Sequence, residues 1–381
     1  MRKHTLSSLS CLLCLLLTAG LFGVPVSADN SSPPAVSAAC AVLIDADSGR
    51  VIWQKNADTR HAMASTTKIM TALVAMQNAA LDCMVSVDPA AVGIEGSSVY
   101  LYAGEQLTME DLLYAMLLES ANDAAAAIAI AVSGSIEAFA EQMNRTAAEL
   151  GLSDTHFTNP HGLWDEAHYT TAAELARITM HALRLPAFRT IVSTYKTTIP
   201  LNQTEGTRLL INHNKMIKLY AGAIGVKTGF TRKSGRCLVS AAARDGVTLI
   251  AVTLDAPDDW RDHTAMLDYG FAHTRHYTLG ETGTMTFTLP VSGGYIPYVT
   301  VANTTPLSVS LPADAPAPVA VLELPRFCLA PVAADAVLGR LIWRSGSEIV
   351  GESPLTATFS VEAIAAERGF LPRLKRLFGI E

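Results

Sequence analysis

The 381-residue chain is poor in charge, with Asp, Glu, Lys and Arg making up 17%, and cations are in deficit at 28 against 35 acids. A net charge of −7 leaves no basic face for a phosphate backbone, which excludes nucleic acid as a partner. Long apolar runs are also lacking. Only the segment from Leu9 to about Val24 approaches a spanning length, so a polytopic membrane protein is excluded. Cysteine is scarce, at six residues. Cys40, Cys83, Cys237 and Cys328 are far apart and share no C-x-x-C spacing, which speaks against a zinc site or redox pair. They are expected to be buried free thiols. A hydrophobic share of 50% excludes disorder, and the length gives room for two domains, each with its own core.

The apolar run near the start reads as an export signal over residues 1–28. Arg2 and Lys3 form its basic end, and Val26-Ser27-Ala28 supplies the small residues a signal peptidase reads, with cleavage before Asp29. The protein is expected to be exported, to the outer face of the cytoplasmic membrane or the cell wall. Residues 29–39, rich in Ser, Pro and Ala, read as a flexible lead-in.

Cys40–Ile44 and Val51–Lys55 flank the turn formers Asp45-Ala46-Asp47-Ser48-Gly49, a hairpin signature. From Ser65 to about Gln77, Ile69, Leu73 and Met76 recur at helical spacing. Thr108 is placed to cap a helix through Leu118. The alanine-rich run Ala124–Ala131 reads as a buried helix, and Ile136–Leu150 as another, closed by Gly151. Gly225–Thr231, Arg236–Ala243 and Val247–Asp255 read as strands, the last two joined by a hairpin turn at Arg244-Asp245-Gly246. Asp259–Phe271 returns to helical spacing. Strands at both ends with helices between them predict an α+β fold, a mixed sheet covered by helices. Beyond about residue 280, Thr284–Leu289, Tyr295–Val301, Leu307–Leu311 and Val319–Leu324 have the cadence of a small all-β domain. The tail 367–381 alternates Phe370, Leu371, Leu374, Leu377 and Phe378 with Arg368, Arg373, Lys375 and Arg376, a basic amphipathic pattern suited to a membrane surface.

Three short motifs carry chemistry. In Ser65-Thr66-Thr67-Lys68 the amine lies one helical turn from the hydroxyl, and a serine needs such a base, provided the lysine pKa is lowered. Alone, the pattern equally describes a serine N-cap beside an exposed lysine. Ser120-Ala121-Asn122 puts a hydroxyl and an amide at a helix-to-helix junction, where Ser120 can relay a proton and Asn122 can hold a carbonyl; alone it is an ordinary turn. Lys227-Thr228-Gly229, on a strand, offers a cation and a hydroxyl to a substrate carboxylate, and Gly229 permits close approach. A backbone amide near Gly229–Thr231 can join that of Ser65 in polarising a carbonyl. His156, His161 and His168 fit no compact ligand set and read as structural, so no metal is expected. His213 reads as a cleft-wall residue at most, and the acidic stretch Asp255–Asp262 as a solvated loop and helix start.

In this order the three motifs are the signature of penicillin-recognising serine enzymes. The chain resembles the low-molecular-weight penicillin-binding proteins, the serine-type D-alanyl-D-alanine carboxypeptidases. Gly96-Ser97-Ser98, Asn159-Pro160-His161-Gly162-Leu163 and Gly235-Arg236-Cys237-Leu238-Val239 look like that family's blocks too. The resemblance implies a β-lactamase/transpeptidase-like catalytic domain over 37–275, a C-terminal β-sandwich domain over 280–362 and a membrane-associating tail. It also implies roles. Ser65 would form an acyl-enzyme on peptidoglycan stem pentapeptides, Lys68 would take its proton, and Ser120 would shuttle a proton to the leaving amine. Asn122 would bind the substrate amide, and Lys227, Thr228 and Gly229 the terminal carboxylate end. No cofactor is implied, and β-lactams would act as covalent inhibitors. A D,D-endopeptidase, a β-lactamase or a non-catalytic β-lactam sensor are the alternatives. A lactamase needs a water-activating glutamate between the second and third motifs, for which Glu166 is a poor match, and a sensor needs no complete motif set.

Overall fold

The computed structural model describes residues 32–201, 206–365 and Leu377. The expected export signal and, but for Leu377, the expected amphipathic tail lie outside the described residues. Strands β1 (Cys40–Asp45) and β2 (Val51–Lys55) form the expected hairpin. The Asp45 carboxylate accepts the Ser48 N–H at 2.8 Å and its hydroxyl at 2.6 Å, which closes the turn. A single 3₁₀ turn, Ala64–Thr67, then leads into α1 (Lys68–Asn78). Short strands β3 (Met84–Ser86) and β4 (Gln106–Thr108) pair, and Thr108 caps α2 (Met109–Leu118) in a reciprocal box with Asp111. Helix α3 (Asn122–Ser133) is buried along its first eight residues, because its alanines let neighbouring helices close on it from all sides. Ser135 caps α4 (Ile136–Glu149).

Two helices follow that the hydrophobic pattern alone did not suggest, α5 (Ala172–Leu183) and α6 (Pro186–Ser193). A second hairpin, β5 (Lys196–Leu201) with β6 (Gly206–Ile211), precedes the single turn α7 (Met216–Leu219). The expected strands are β7 (Ala223–Thr231), β8 (Gly235–Arg244) and β9 (Val247–Leu254). Asp245 and Gly246 both take positive φ, 48° and 80°, as a two-residue hairpin turn demands. Helix α8 (Asp259–Ala272) follows β9.

The five-stranded sheet has the order β2-β1-β9-β8-β7, and its pairings are all antiparallel. Alternate residues serve opposite faces. Val42, Ile44, Val239 and Val252 pack against Ile69, Leu73, Leu113 and Ile128 of the helical layer. Leu43, Leu249 and Ala251 pack on Met266 and Leu267 of α8. The α+β architecture read from the sequence is therefore present, with helices on both faces, but the sheet is wholly antiparallel and not mixed, because hairpins rather than crossovers join β1 to β2, β7 to β8 and β8 to β9.

After α8 come β10 (Thr274–Gly280), β11 (Thr286–Ser292), β12 (Tyr298–Asn303), β13 (Leu307–Pro312), β14 (Val319–Glu323), β15 (Cys328–Leu329), β16 (Val337–Ser345) and β17 (Glu348–Ala357). β10 pairs with β13, and the rest form a six-stranded sheet of order β14-β16-β17-β12-β11-β15. Leu289, Val299, Val301, Leu341 and Leu355 fill this β-sheet domain.

Three further expectations need correction. The acidic stretch near residue 260 is not simply solvated, since Asp259 and Asp262 are both buried. Asp262 accepts the Ser37 N–H (2.9 Å) and hydroxyl (2.7 Å) and the Ala38 N–H (3.1 Å). The same bonds tie down the end of the lead-in that was expected to be flexible. The four cysteines among the described residues are free, but only Cys40 and Cys237 are buried; Cys83 and Cys328 are part-exposed.

Candidate active site

A 3₁₀ turn has three residues per turn, so side chains three apart eclipse. The turn Ala64–Thr67 thus carries Ser65 directly over Lys68, with Oγ and Nζ 2.9 Å apart. Lys68 is fully buried. Its Nζ donates to Asn122 Oδ1 at 2.7 Å and to the His161 carbonyl at 2.6 Å. Neither partner can return a proton. A carbonyl has none, and the Asn122 amide is oriented by Nδ2, which donates to the Glu95 carbonyl at 2.5 Å. Burial, and then the nearby Lys227 ammonium, push Lys68 well below the ordinary lysine value, against a smaller opposing pull from Asp123. In the neutral amine both N–H groups are occupied by fixed acceptors, and the lone pair is left to the Ser65 hydroxyl. That geometry can take a proton from the serine.

Ser120 occupies the junction between α2 and α3 at φ 61°, a left-handed conformation that turns the chain sharply. Asp123, in the first turn of α3, accepts the Ser98 hydroxyl at 2.6 Å and the Leu101 N–H at 3.0 Å. This holds the 96–101 segment beside the junction. A Cβ on Gly96 would lie 2.8 Å from Asn122 Nδ2, so that glycine lets the amide reach its place.

Strand β7 is the edge of the five-stranded sheet. A Cβ on Gly229 would lie 3.0 Å from the Ser65 nitrogen, so the bare glycine brings the strand edge against the Ser65 turn. Lys227 is buried and donates to the Thr228 carbonyl at 2.9 Å; desolvation lowers its pKa to about 7. Ser65, Ser97, Ser120, Thr228, Gly229 and Phe230 line an open cleft of about 760 Å³. Lys68, Asn122 and Lys227 lie behind its surface.

His213 lines the cleft too and pairs with Glu119 at 3.1 Å. His156 and His168 make hydrogen bonds within the 156–170 segment, as structural histidines do. Among the described residues no cluster of His, Cys, Asp and Glu is arranged to hold a metal. Sequence reasoning missed several contributors. The His161 carbonyl and Glu95 carbonyl are backbone groups, which no residue-type pattern can reveal. Arg236 enters the cleft wall from β8, held by Asp259 at 2.9 Å. Gly162 could have been noticed as the turn glycine of Asn159-Pro160-His161-Gly162. A Cβ there would fall 2.0 Å from the Ala64 carbonyl oxygen, so only glycine lets this loop lie on the Ser65 turn.

A serine facing a buried, deprotonation-prone lysine at an open sheet edge defines the class of active-site-serine acyl-transfer enzymes. The comparison with known proteins narrows this. Residues 27–258 match the peptidase S11 family, D-alanyl-D-alanine carboxypeptidase, and the chain belongs to that family. It is 32% identical over 389 residues to D-alanyl-D-alanine carboxypeptidase DacF of Bacillus subtilis (strain 168), covering 99% of this chain and 98% of that one. It is 36% identical over 276 residues to the D-alanyl-D-alanine carboxypeptidase of Streptomyces sp. (strain K15), covering 68% and 94%. The solved structure of penicillin binding protein 5 from Haemophilus influenzae matches with a TM-score of 0.68 at 28% identity, over 87% of this chain and 99% of that one.

Proposed function

We propose that Ser65 is the nucleophile and Lys68 its general base in a serine-type D-alanyl-D-alanine carboxypeptidase acting on peptidoglycan stem pentapeptides. The observation that carries this is the Lys68 amine, dry, tethered by two acceptors and 2.9 Å from Ser65 Oγ. Ser65 Oγ attacks the carbonyl between the two D-alanines while its proton passes to Lys68. The Ser65 N–H, with a backbone N–H of β7, stabilises the developing oxyanion. The C–N bond breaks, the leaving D-alanine amine takes a proton through Ser120, and the shortened peptide stays as an ester on Ser65. Water then hydrolyses the ester. Asn122 serves first to orient Lys68; one Nδ2 hydrogen goes to the Glu95 carbonyl, and the second is the donor it offers the substrate amide. Lys227, Thr228 and Gly229 receive the terminal carboxylate end. The exposed position of Glu166 weighs against a lactamase-type deacylating base. The direct test is to incubate the protein with a stem pentapeptide and follow it by mass spectrometry. Loss of a single D-alanine, blocked by penicillin, is the expected result; an intact peptide would sink the reading.

The two buried amines predict a bell-shaped pH profile. Because Lys68 is lowered, its neutral form persists well below the ordinary lysine value, and activity falls on the acid side when it finally protonates. Lys227, at about 7 in the free enzyme, loses its charge as pH rises through that value, so kcat/KM falls on the alkaline side. Lys227→Ala should lower kcat/KM about 10- to 100-fold, the scale of a charged hydrogen bond. It should also erase the alkaline limb and move the acid limb to higher pH, because Lys68 loses a repelling neighbour. An unchanged profile would remove Lys227 from carboxylate capture.

Export by residues 1–28 and membrane association by residues 367–381 belong to the same proposal. Each of the four tail cations is worth about 1 kcal/mol at an anionic surface. Deleting 367–381 should therefore abolish co-sedimentation of the mature protein with anionic vesicles, and equal sedimentation of both forms would refute the anchor.

A further inference from the structure

We propose that His168 is a positioning residue for the Ser65 backbone N–H, acting through the Thr67 hydroxyl and the Ala64 carbonyl. The inference rests on the reading of that N–H as an oxyanion donor. It starts from a chain of hydrogen bonds whose direction is forced. The Thr158 backbone N–H donates to His168 Nδ1 at 3.0 Å, and an amide N–H cannot accept, so Nδ1 carries no proton. The proton of the neutral ring is then on Nε2, which donates to Thr67 Oγ1 at 2.8 Å. The Thr67 hydroxyl passes the bond on, donating to the Ala64 carbonyl at 2.8 Å.

Ala64 immediately precedes the nucleophile. Its carbonyl and the Ser65 N–H belong to one planar peptide unit, so fixing the first fixes the second. The unit needs holding, since Ala64 sits at φ 47°, a conformation that an alanine adopts at a cost. Gly162 lies close to the same carbonyl, where a Cβ would fall 2.0 Å from the Ala64 oxygen and 2.9 Å from Thr67 Oγ1. His168 and Thr67 are both buried, and the imidazole stands edge-on to Phe157, with centroids 5.7 Å apart. Burial, above all, lowers its pKa to about 4, so the ring keeps the neutral form that the relay requires. His168 itself touches neither Ser65 nor the cleft.

The test uses the full chain and four variants: H168A, H168Q, T67V and the double variant H168A/T67V. Glutamine can place an amide N–H where Nε2 stood, and valine keeps the shape of threonine without its hydroxyl. H168A and T67V should each lower kcat for D-alanine release about 10- to 100-fold, less than removal of a whole oxyanion donor. KM should stay within about twofold. H168Q should recover most of the loss, and the double variant should be no worse than T67V alone, because both changes cut one relay. Multiplied losses in the double variant, full activity of T67V, or a folded H168Q as poor as H168A would each overturn the proposal. Should H168A fail to fold, T67V and H168Q still decide it. Inactivity of the wild-type protein would instead refute the reading of the site, so the two failures are distinguishable.

Discussion

Replacing Ser65 by alanine is expected to abolish covalent labelling by penicillin and to lower D-alanine release by at least about four orders of magnitude, as loss of a nucleophile does in other serine enzymes. Folding should be unaffected. Besides the Lys68 contact, the Ser65 hydroxyl makes only a long bond of 3.4 Å among the described residues, to the His161 carbonyl, and the side chain faces an open cleft. Removing it creates no cavity in a packed core, so the thermal midpoint should stay close to that of the parent. Labelling by a fluorescent penicillin, read on a gel beside a melting curve, checks both halves. A labelled and folded S65A protein would place the nucleophile elsewhere.

The second large effect is expected at Lys68. Lys68→Ala should lower the acylation rate about 10²- to 10⁴-fold, the range of a general base. Lys68→Arg separates proton acceptance from charge. A guanidinium keeps the cation and several donors, but it does not give up its proton. If Lys68 acts as the base, arginine should be as poor as alanine. If it acted only by its charge, arginine would retain much of the rate. Stopped-flow acylation with a chromogenic β-lactam measures this directly, and a fast K68R enzyme would end the base assignment. Burying an arginine in a site shaped for lysine also strains it, so the melting curve of each variant belongs in the same experiment.

Much of this was legible in the sequence for local reasons. Turn formers between apolar runs announced β1–β2 and β8–β9, because a hairpin needs particular residues at its corner. The capping threonine announced α2. Helix α5 carried a similar signal that hydrophobic spacing alone passed over: the Thr171 hydroxyl accepts the Glu174 N–H at 3.1 Å. Strands β16 and β17 were harder, since Gly339, Pro354 and several charges interrupt their alternation, and pairing with neighbours sustains them.

By itself the sequence determined which side chains are available and in what order: Ser65 with Lys68, Ser120 with Asn122, and Lys227 with Thr228 and Gly229, each on its own turn, junction or strand. Spacing along a chain can place two groups within one turn of each other. It cannot measure how dry they are, or which of them faces solvent. The tertiary structure decided that Lys68, Asn122 and Lys227 stand behind the cleft wall while Ser65, Ser120 and Thr228 line it. It also decided that backbone carbonyls at His161 and Glu95 fix the amine and its amide partner. The physical reason is that desolvation and carbonyl direction arise from packing among segments 27 to 93 residues apart, and they set the protonation state of the buried amine.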